Sequence, residues 1–310
     1  MRGKLGYNFV TAAFLLGGCT PATAPQTVAS APTVVVPASA ETVAVATRMA
    51  DAADDPAIWT RAGLTFAGKR QDGIVLGTDK KAGLYVFGLD GQSLQFLPEG
   101  LLNNVDLRSE GPGFVAGASD RGRMGVALYR FSGEGQLTPA GFIKSDIVEP
   151  YGFCMGRLDG ALVAVLIGKD GQVREYTLAE GAEGFSGTER RRYAVGSQSE
   201  GCTVDDVSAT LFIGEELKGV WRYPLRAVAG TRTLVAEIGD GITSSCAVAV
   251  LIICGGGAAA CRPIQWSGGP AAATEAGQQH QLSLGCGAAD AQLAACTDGR
   301  VTLCAHDCSG

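Results

Sequence analysis

The sequence of 310 residues carries a formal charge of −6, so the extended basic face that nucleic acid requires is not expected. Its length is sufficient for one large domain or two small ones. A small anionic ligand remains compatible with this charge, because it needs only a local cluster of Lys and Arg.

The first residues predict an export signal. Arg2 and Lys4 precede a short apolar run, residues 9–16, and small residues follow it. The segment Leu16-Gly17-Gly18-Cys19 resembles a lipoprotein signal, in which the Cys is acylated after cleavage. This interpretation is favoured over an ordinary signal peptide with a chance Cys. The apolar run is too short to span a bilayer, so residues 1–19 are expected to be a signal peptide with Cys19 as the lipidation site.

Residues 20–47 predict a disordered linker, since they consist mainly of Pro, Ala, Thr and Val and carry almost no charge. Together with the signal, the linker indicates an exported protein. It would be lipid-anchored in a bacterial cell envelope, in the periplasm or at the outer membrane, or else secreted. Contact with a membrane would then rest on the lipid anchor alone.

A strand–turn–strand pattern recurs between residues 50 and 240, with polar turns near residues 79, 120, 169 and 215. Short alternating strands with Gly-rich turns at a spacing of roughly 40 to 50 residues are typical of propeller blades. A blade alone cannot bury both faces of its sheet, so neighbouring blades must stack around an axis. A β-sandwich is the competing architecture, but it does not predict similar hairpins at so regular a spacing. The sequence therefore predicts an all-β fold, a beta-propeller with about four recognisable blades.

Charged residues lie at matching places in these turns. The turns read Asp79-Lys80-Lys81, Asp120-Arg121, Lys169-Asp170 and Glu215-Glu216. One charged turn is ordinary for an exposed loop. Four equivalent turns of a propeller converge on one end of the central channel, so carboxylates and cations are expected to meet there.

A series of short motifs follows one another from residue 51 to about residue 240. They are Asp51-Ala52-Ala53-Asp54-Asp55-Pro56-Ala57-Ile58-Trp59, Thr78-Asp79-Lys80-Lys81-Ala82-Gly83-Leu84, Asn103-Asn104-Val105-Asp106, Ala118-Ser119-Asp120-Arg121, Tyr151-Gly152-Phe153, Gly168-Lys169-Asp170-Gly171, Gln198-Ser199-Glu200-Gly201 and Ile213-Gly214-Glu215-Glu216. In this order and spacing the motifs resemble the beta-propeller phytases. That family is a six-bladed propeller that removes phosphates from phytate (myo-inositol hexakisphosphate) with calcium.

The resemblance implies roles for the residues at matching positions. Substrate phosphates would be held by Lys80, Lys81, Arg121 and Lys169. Several calcium ions would be bound by Asp55, Glu200 and Glu216, with Tyr151 beside them, and Asp54 and Asp106 are further candidate ligands. Tyr151, Glu200 and Glu216 are the expected catalytic residues. Calcium takes roughly six to eight oxygen ligands, and a metal-held water can attack phosphorus in line without a covalent nucleophile.

The sequence lacks the catalytic motifs of other phosphatase classes. A histidine phosphatase needs an Arg-His-Gly centre, but the only histidines are His280 and His306. A cysteine phosphatase needs Arg six places after its Cys, and neither Cys154 nor Cys202 has one. These two Cys are interpreted as buried small hydrophobes, and a disulfide between them in an oxidising compartment is left open.

The family pattern breaks soon after Gly241-Ile242-Thr243, which still matches it. The family continues with an Asp-x-Glu-Gly motif whose carboxylates bind calcium, whereas Ser245 and Ala247 stand at those positions here. Seven of the ten cysteines lie between residues 246 and 308, and Trp266 is the only aromatic residue after 240. The sequence is therefore divided into a partial propeller, residues 48–243, and a divergent Cys-, Ala- and Gly-rich tail, residues 244–310.

Three interpretations of the tail compete: a shifted reading frame, a Cys-rich disulfide module, and a metal site around Cys304-Ala305-His306-Asp307-Cys308. The shifted frame is favoured, because the polar and turn residues of disulfide modules are sparse and a second ligand pair is poorly placed. Two function classes thus stay open. One is a monomeric calcium-dependent phosphatase of phytate or other inositol phosphates, and the other is a non-catalytic or decayed propeller that at most binds calcium or anions.

Overall fold

The computed structural model describes residues 40–48 and 51–238, together with the backbone of two strands further on, residues 292–297 and 300–305. The regular elements of these residues are all strands, which confirms the all-β prediction. The described part contains no helix that is long and apolar enough to cross a membrane. The first strand, β1 (Ala40–Glu41), pairs antiparallel with the last one.

Residues 53–238 form four consecutive units of four antiparallel strands each, in agreement with the predicted blades, and one parallel pair, Gly141 with Phe185, joins the outer strands of the second and third units into a single sheet. Blade 1 contains β2 (Ala53–Phe66), β3 (Lys69–Asp79), β4 (Gly83–Gly88) and β5 (Ser93–Leu97). Blade 2 contains β6 (Leu102–Glu110), β7 (Gly113–Asp120), β8 (Gly125–Phe131) and β10 (Thr138–Lys144). The short β9 (Glu134–Gly135) leaves blade 2 and pairs in parallel with β2.

Blades 3 and 4 repeat the same arrangement. Blade 3 contains β11 (Pro150–Leu158), β12 (Ala161–Gly168), β13 (Gln172–Gly181) and β14 (Gly184–Ala194). Blade 4 contains β15 (Ser199–Asp205), β16 (Thr210–Glu215), β17 (Gly219–Pro224) and β18 (Thr233–Glu237). The tail contributes a hairpin of β19 (Gln292–Thr297) and β20 (Arg300–Ala305), and β20 is the partner of β1.

The first strand of each blade lies against the first strand of the next, so β2, β6, β11 and β15 are the inner strands. Strands β6, β11 and β15 are sheet edges, β2 has only the short β9 beyond it, and ladder pairing does not join one inner strand to another. The blades instead stack through their faces. Successive side chains of a strand point to opposite faces, so each middle strand serves two interfaces.

Strand β7 shows this alternation, and all eight of its residues are buried. Phe114 and Ala116 pack with Ile74 and Leu76 of blade 1 in the first core cluster. Val115, which lies between them, belongs to the second cluster with residues of blade 3. Each large apolar side chain that is buried in this way contributes about 1.5–3 kcal/mol relative to exposure. The stacked faces therefore hold the blades together.

The face of blade 1 that points away from blade 2 is covered by residues 40–48. Val45 is 2% exposed and packs with Val75 and Phe87. The amide of Ala46 donates to the hydroxyl of Tyr85 over 3.0 Å. The predicted linker extended to residue 47, but these last residues of it belong to the folded part. Composition alone missed this, because a single apolar residue facing a sheet leaves no pattern in the sequence.

Candidate functional site

The four inner strands carry a β-bulge at the same place. In each blade the first pair of the ladder is followed by one extra residue on the inner strand, between Ala53 and Pro56 in blade 1 and at the matching positions of the other blades. A bulge bends its strand and changes the direction of the side chain beside it. The residues directly after the first pair are thus structurally equivalent; they are Asp54, Asn103, Tyr151 and Glu200.

A second set of equivalent residues follows the second strand of each blade. Their amides donate to backbone carbonyls just before the inner strands; the pairs are Lys80 to Ala52, Arg121 to Leu101, Lys169 to Glu149 and Glu216 to Gln198, over 2.8, 3.0, 3.1 and 3.0 Å. These are the second charged residues of the predicted turns or, in blade 3, the first. The periodic register thus brings both sets to the same end of the inner strands.

In blades 1 and 2 the residue before this position is an Asp whose carboxylate accepts backbone amides of the turn. Asp79 accepts the amide of Lys81 over 3.0 Å, and Asp120 accepts the amides of Gly122 and Arg123 over 2.9 and 2.8 Å. Both carboxylates are fully buried at the strand ends. They therefore stabilise the turns. The residue that follows each of them lies at the end of the inner strands that the two sets share.

Blade 1 supplies a cluster of opposite charges. Nζ of Lys80 lies 2.9 Å from Oδ1 of Asp54 and 2.7 Å from Oδ1 of Asp51. Burial raises the pKa of Asp54, and the charge of Lys80 opposes that rise, as does the charge of Arg121 to a smaller extent. Burial alone would lower the pKa of Lys80, but Asp54 and Asp51 raise it overall. Lys80 is consequently cationic and tightly held.

Glu200 connects the other blades. Its Oε1 accepts a hydrogen bond from Nδ2 of Asn103 over 3.0 Å, and its charge acts on the neighbouring phenol of Tyr151. Burial raises the pKa of Glu200 to about 7, and the charge of Asp54 adds to the shift. The pKa of Tyr151 is raised by burial and then by Glu200. The phenol is therefore a neutral hydrogen-bond donor at neutral pH.

Asp55 and Asp106 join neighbouring inner strands. Oδ2 of Asp55 accepts the amide of Val105 over 2.9 Å, and Oδ2 of Asp106 accepts the amide of Met155 over 2.8 Å. Burial, followed by the charge of Asp54, raises the pKa of Asp55 well above its usual range. Both oxygens of Asp106 also accept hydrogen bonds from Arg108.

The remaining predicted residues lie nearer the surface. Nζ of Lys169 is 5.7 Å from the centre of the Tyr151 ring and 3.5 Å from Oε1 of Glu149. Oε1 of Glu216 accepts a hydrogen bond from Nε2 of Gln198 over 2.8 Å. Lys81 is exposed. The cationic side chains thus differ in depth, with Lys80 buried at the inner side and Lys169 at the rim.

Cys154 and Cys202 form a disulfide between β11 and β15. The favoured interpretation of two separate buried hydrophobes was therefore wrong. The alternative that the sequence left open is correct, because the two inner strands bring the Cα atoms to 5.7 Å.

Comparisons with known proteins agree with this arrangement. The profile of the phytase family matches residues 8–260. The chain belongs to the phytase family. It is 34% identical over 211 residues to a 3-phytase of Bacillus subtilis (strain 168), an alignment that covers 63% of this chain and 54% of the relative. The chain thus spans about half the length of this curated relative.

The calcium that the resemblance implies can be tested against the oxygens of this phytase-family site. Oδ2 of Asp54 and Oδ1 of Asn103 are buried and have no hydrogen-bond partner among the described residues. Buried oxygens without donors, beside further carboxylates, suit a hard cation. Within residues 40–48 and 51–238, no group of three or more His, Cys, Asp or Glu side chains is arranged as a metal site. The oxygens therefore fit calcium in kind, and the described residues supply part of a ligand set.

Sequence reasoning missed two residues of this site. Asn103 is equivalent to Asp54 and Glu200, and its motif Asn103-Asn104-Val105-Asp106 was visible in the sequence. Asp51, which binds Lys80, begins the first motif. Asn103 lies at the start of an inner strand, and Asp51 lies two residues before one. Recognising these positions requires the register of the bulge.

Proposed function

We propose that this phytase-family chain binds calcium and the phosphates of phytate at the shared end of its inner strands, as a calcium-dependent phosphomonoester hydrolase. The observation that carries the proposal is the equivalence of the two residue sets. Four consecutive blades contribute one residue each to both of them. A single charged turn would not indicate a binding site, whereas equivalent residues from four blades at the same end of the inner strands do.

Phosphate binding is assigned to the cationic side chains at equivalent positions. Arg121 has a buried Nε without a hydrogen-bond partner among the described residues, which suits an incoming anion. The charge of Lys80 is already balanced by its ion pairs with Asp51 and Asp54. Lys80 can therefore stabilise a phosphate only if one of these carboxylates binds a metal cation instead. Lys169 lies at the rim, and exposed Lys81 would contact only the outer part of a ligand.

Calcium binding is assigned to Asp54, Asp55, Glu200 and Glu216. When bound, calcium would supply Lewis-acid stabilisation of the phosphate and an activated water. Tyr151 lies beside Glu200, and Asn103 donates a hydrogen bond to the same carboxylate. Asp106 ranks last among the candidate ligands, because both its oxygens already accept donors from Arg108. Its bond to Met155 supports a role in joining the blades.

We further propose that turnover by this chain is low. Ser245 and Ala247 stand where the family's motif has two calcium-binding carboxylates, and both lie outside the described residues. The second candidate function is therefore a propeller that binds calcium or anions without catalysis. The test of the final prediction in the Discussion separates the two.

We also propose that the protein is exported, that Cys19 is lipidated and that the protein is a monomer. The Cys154–Cys202 disulfide supports an oxidising compartment, because disulfides persist in exported proteins and are rare in the cytosol. Mass spectrometry of the membrane fraction from an expressing bacterium would test the anchor. An unmodified Cys19 would contradict it.

The binding site is tested by calcium-dependent affinity for phytate. Calorimetric titration of the full chain is expected to show that calcium strengthens phytate binding, and that Glu200→Gln removes this gain. Glu189→Gln is the matched control, because Glu189 makes ion pairs with Arg174 and Arg192 in blade 3. Phytate affinity that depends on neither calcium nor Glu200 would contradict the proposed site.

A further inference from the structure

Tyr151 and Glu200 must stay in contact although no ladder joins their strands. β11 is an edge of the sheet that holds blade 3, and β15 is an edge of blade 4. The separation of the two side chains therefore depends on how the two edges are fixed against each other. The Cys154–Cys202 disulfide joins these two edges, three residues after Tyr151 and two after Glu200.

The disulfide stands where the preceding interface has a carboxylate. The ladder of blade 2 pairs Asp106 with Gly117, and the ladder of blade 3 pairs Cys154 with Val165 at the same step after the bulge. Cys154 is thus equivalent to Asp106, which bridges β6 to the Met155 amide of β11. Between blades 3 and 4 a covalent bond replaces the hydrogen bond of that bridge.

A glycine allows the same two strands to approach closely. A Cβ atom at Gly152 would fall far inside van der Waals contact with the carbonyl oxygen of Glu200. Gly152 directly follows Tyr151, so the close approach occurs at the site itself. The glycine permits this separation, and the disulfide prevents the strands from moving apart.

We propose that the Cys154–Cys202 disulfide is a positioning device for the cation site. By fixing β11 against β15 it holds Tyr151 beside Glu200 and thereby sets the affinity of the site for a divalent cation. The proposal rests on the proposed function for the roles of these two side chains. It goes beyond that function in assigning the affinity to a covalent bond away from the ligands.

The alternative is a disulfide that only stabilises the fold. Such a bond would raise the resistance to unfolding and leave the cation affinity of the folded protein unchanged. A positioning bond changes the affinity under conditions where both proteins are folded. Supporting residues of metal sites typically change affinity by about 10- to 100-fold when they are removed.

The experiment compares the wild-type chain with Cys154→Ala/Cys202→Ala, both folded by circular dichroism. Calcium affinity is measured by calorimetry, and terbium luminescence excited through tyrosine provides a second readout that does not depend on activity. We expect the double variant to bind about tenfold more weakly. A dithiol reductant, which gives two electrons and two protons to the disulfide and is itself oxidised to a disulfide, should produce the same loss in the wild type. It should leave the double variant unchanged.

Val165→Ala is the control for a general loss of stability, because Val165 is fully buried in the same cluster as Cys154. We expect it to lower the unfolding midpoint and retain the wild-type cation affinity. Equal affinities of wild type and double variant, no cation binding by either, or an equal loss in Val165→Ala would overturn the proposal. Absence of phosphate release from phytate concerns only the proposed hydrolase, since the positioning is decided by cation affinity.

Discussion

Asn103 donates a hydrogen bond from Nδ2 to Oε1 of Glu200 over 3.0 Å, across 97 positions of sequence. Asn103 is the second residue of the inner strand of blade 2 and Glu200 is the second residue of that of blade 4, so the contact joins two blades that are not consecutive. The same Nδ2 also donates to Oδ1 of Asn104 over 2.8 Å. Asn103 therefore orients a carboxylate of a distant blade while its own Oδ1 remains without a donor among the described residues.

The first prediction is that Asn103→Asp makes stability strongly dependent on calcium. The substitution keeps the shape of the side chain, removes the donor to Glu200 and adds a negative charge beside that carboxylate. Losing a hydrogen bond to a charged group costs about 1.5–3 kcal/mol, so we expect a lower free energy of unfolding in chelator. A cation that binds only the folded state should recover more stability in the variant than in the wild type.

Urea unfolding with calcium or with chelator measures this difference. Gln92→Glu is the control, because it makes the same chemical change in an exposed turn of blade 1. The control should show the wild-type response to calcium. An identical calcium response in Asn103→Asp would mean that no cation binds beside residue 103.

The sequence was informative about the blades because their turns are encoded locally. A polar turn between two short apolar strands is visible without knowledge of the partner strands, and Lys80, Arg121 and Glu216 occur in such turns. Equivalent positions in a repeated unit share one end of the structure. The grouping of the charged residues was therefore predictable from the repeat alone.

The links between inner strands could not be predicted in this way. Whether Asp106 faces a metal or the amide of Met155 depends on the offset of β6 against β11. The pairing of Cys154 with Cys202 depends on the offset of β11 against β15. No ladder joins these edges, so periodicity within one strand carries no information about their relative position.

The second prediction assigns Asp106 to the blade interface. Asp106→Ala removes the acceptor of the Met155 amide and one of the two carboxylate partners of Arg108, and Asp206 remains as the other. Losing a hydrogen bond to a charged group costs about 1.5–3 kcal/mol, so we expect a clear drop in the urea midpoint. Arg226→Ala removes the exposed pair with Asp159 and should change stability by at most about 1 kcal/mol. Similar midpoints for the two variants would contradict this assignment.

The third prediction concerns the close approach at Gly152. Gly152→Ala should force β11 and β15 apart, because the new Cβ would collide with the backbone of Glu200. We expect lower stability and weaker calcium binding together. Gly181→Ala is the control, since the nearest atom to its Cβ is the oxygen of Gly184 at 3.8 Å. Calorimetry and urea unfolding of both variants check the prediction, and unaltered calcium affinity in Gly152→Ala would show that this separation is not required.

The fourth prediction separates ligand binding from stability at Lys169. Its side chain is 45% exposed and lies 3.5 Å from Glu149, so the ion pair contributes about 0–1 kcal/mol. Lys169→Met should therefore unfold like the wild type and bind phytate more weakly, with a smaller dependence on salt. Lys144→Met, whose Nζ donates to the carbonyl of Arg123, is the control outside the site. Equal phytate affinities for the two variants would exclude Lys169 from phosphate binding.

The last prediction concerns turnover and the positions of the absent carboxylates. Calcium requires roughly six to eight oxygen donors, and the described residues supply only part of such a set. A charge pair near a protein surface contributes up to about 4 kcal/mol at close range with an effective dielectric near 20. Ser245 and Ala247 provide no such charge, so the wild-type chain should release little phosphate from calcium phytate.

Ser245→Asp/Ala247→Glu restores the two carboxylates at the spacing of the family motif. We expect it to bind calcium more tightly and to release phosphate faster than the wild-type chain, measured on the same calcium phytate. Ser244→Asp/Val248→Glu adds the same two charges one residue away on each side, so it controls for net charge. This control variant should release phosphate at the wild-type rate, because the added carboxylates increase calcium binding only when both of them reach the cation. Rapid release by the unsubstituted chain would contradict the prediction and would require that other residues of the chain complete the calcium site.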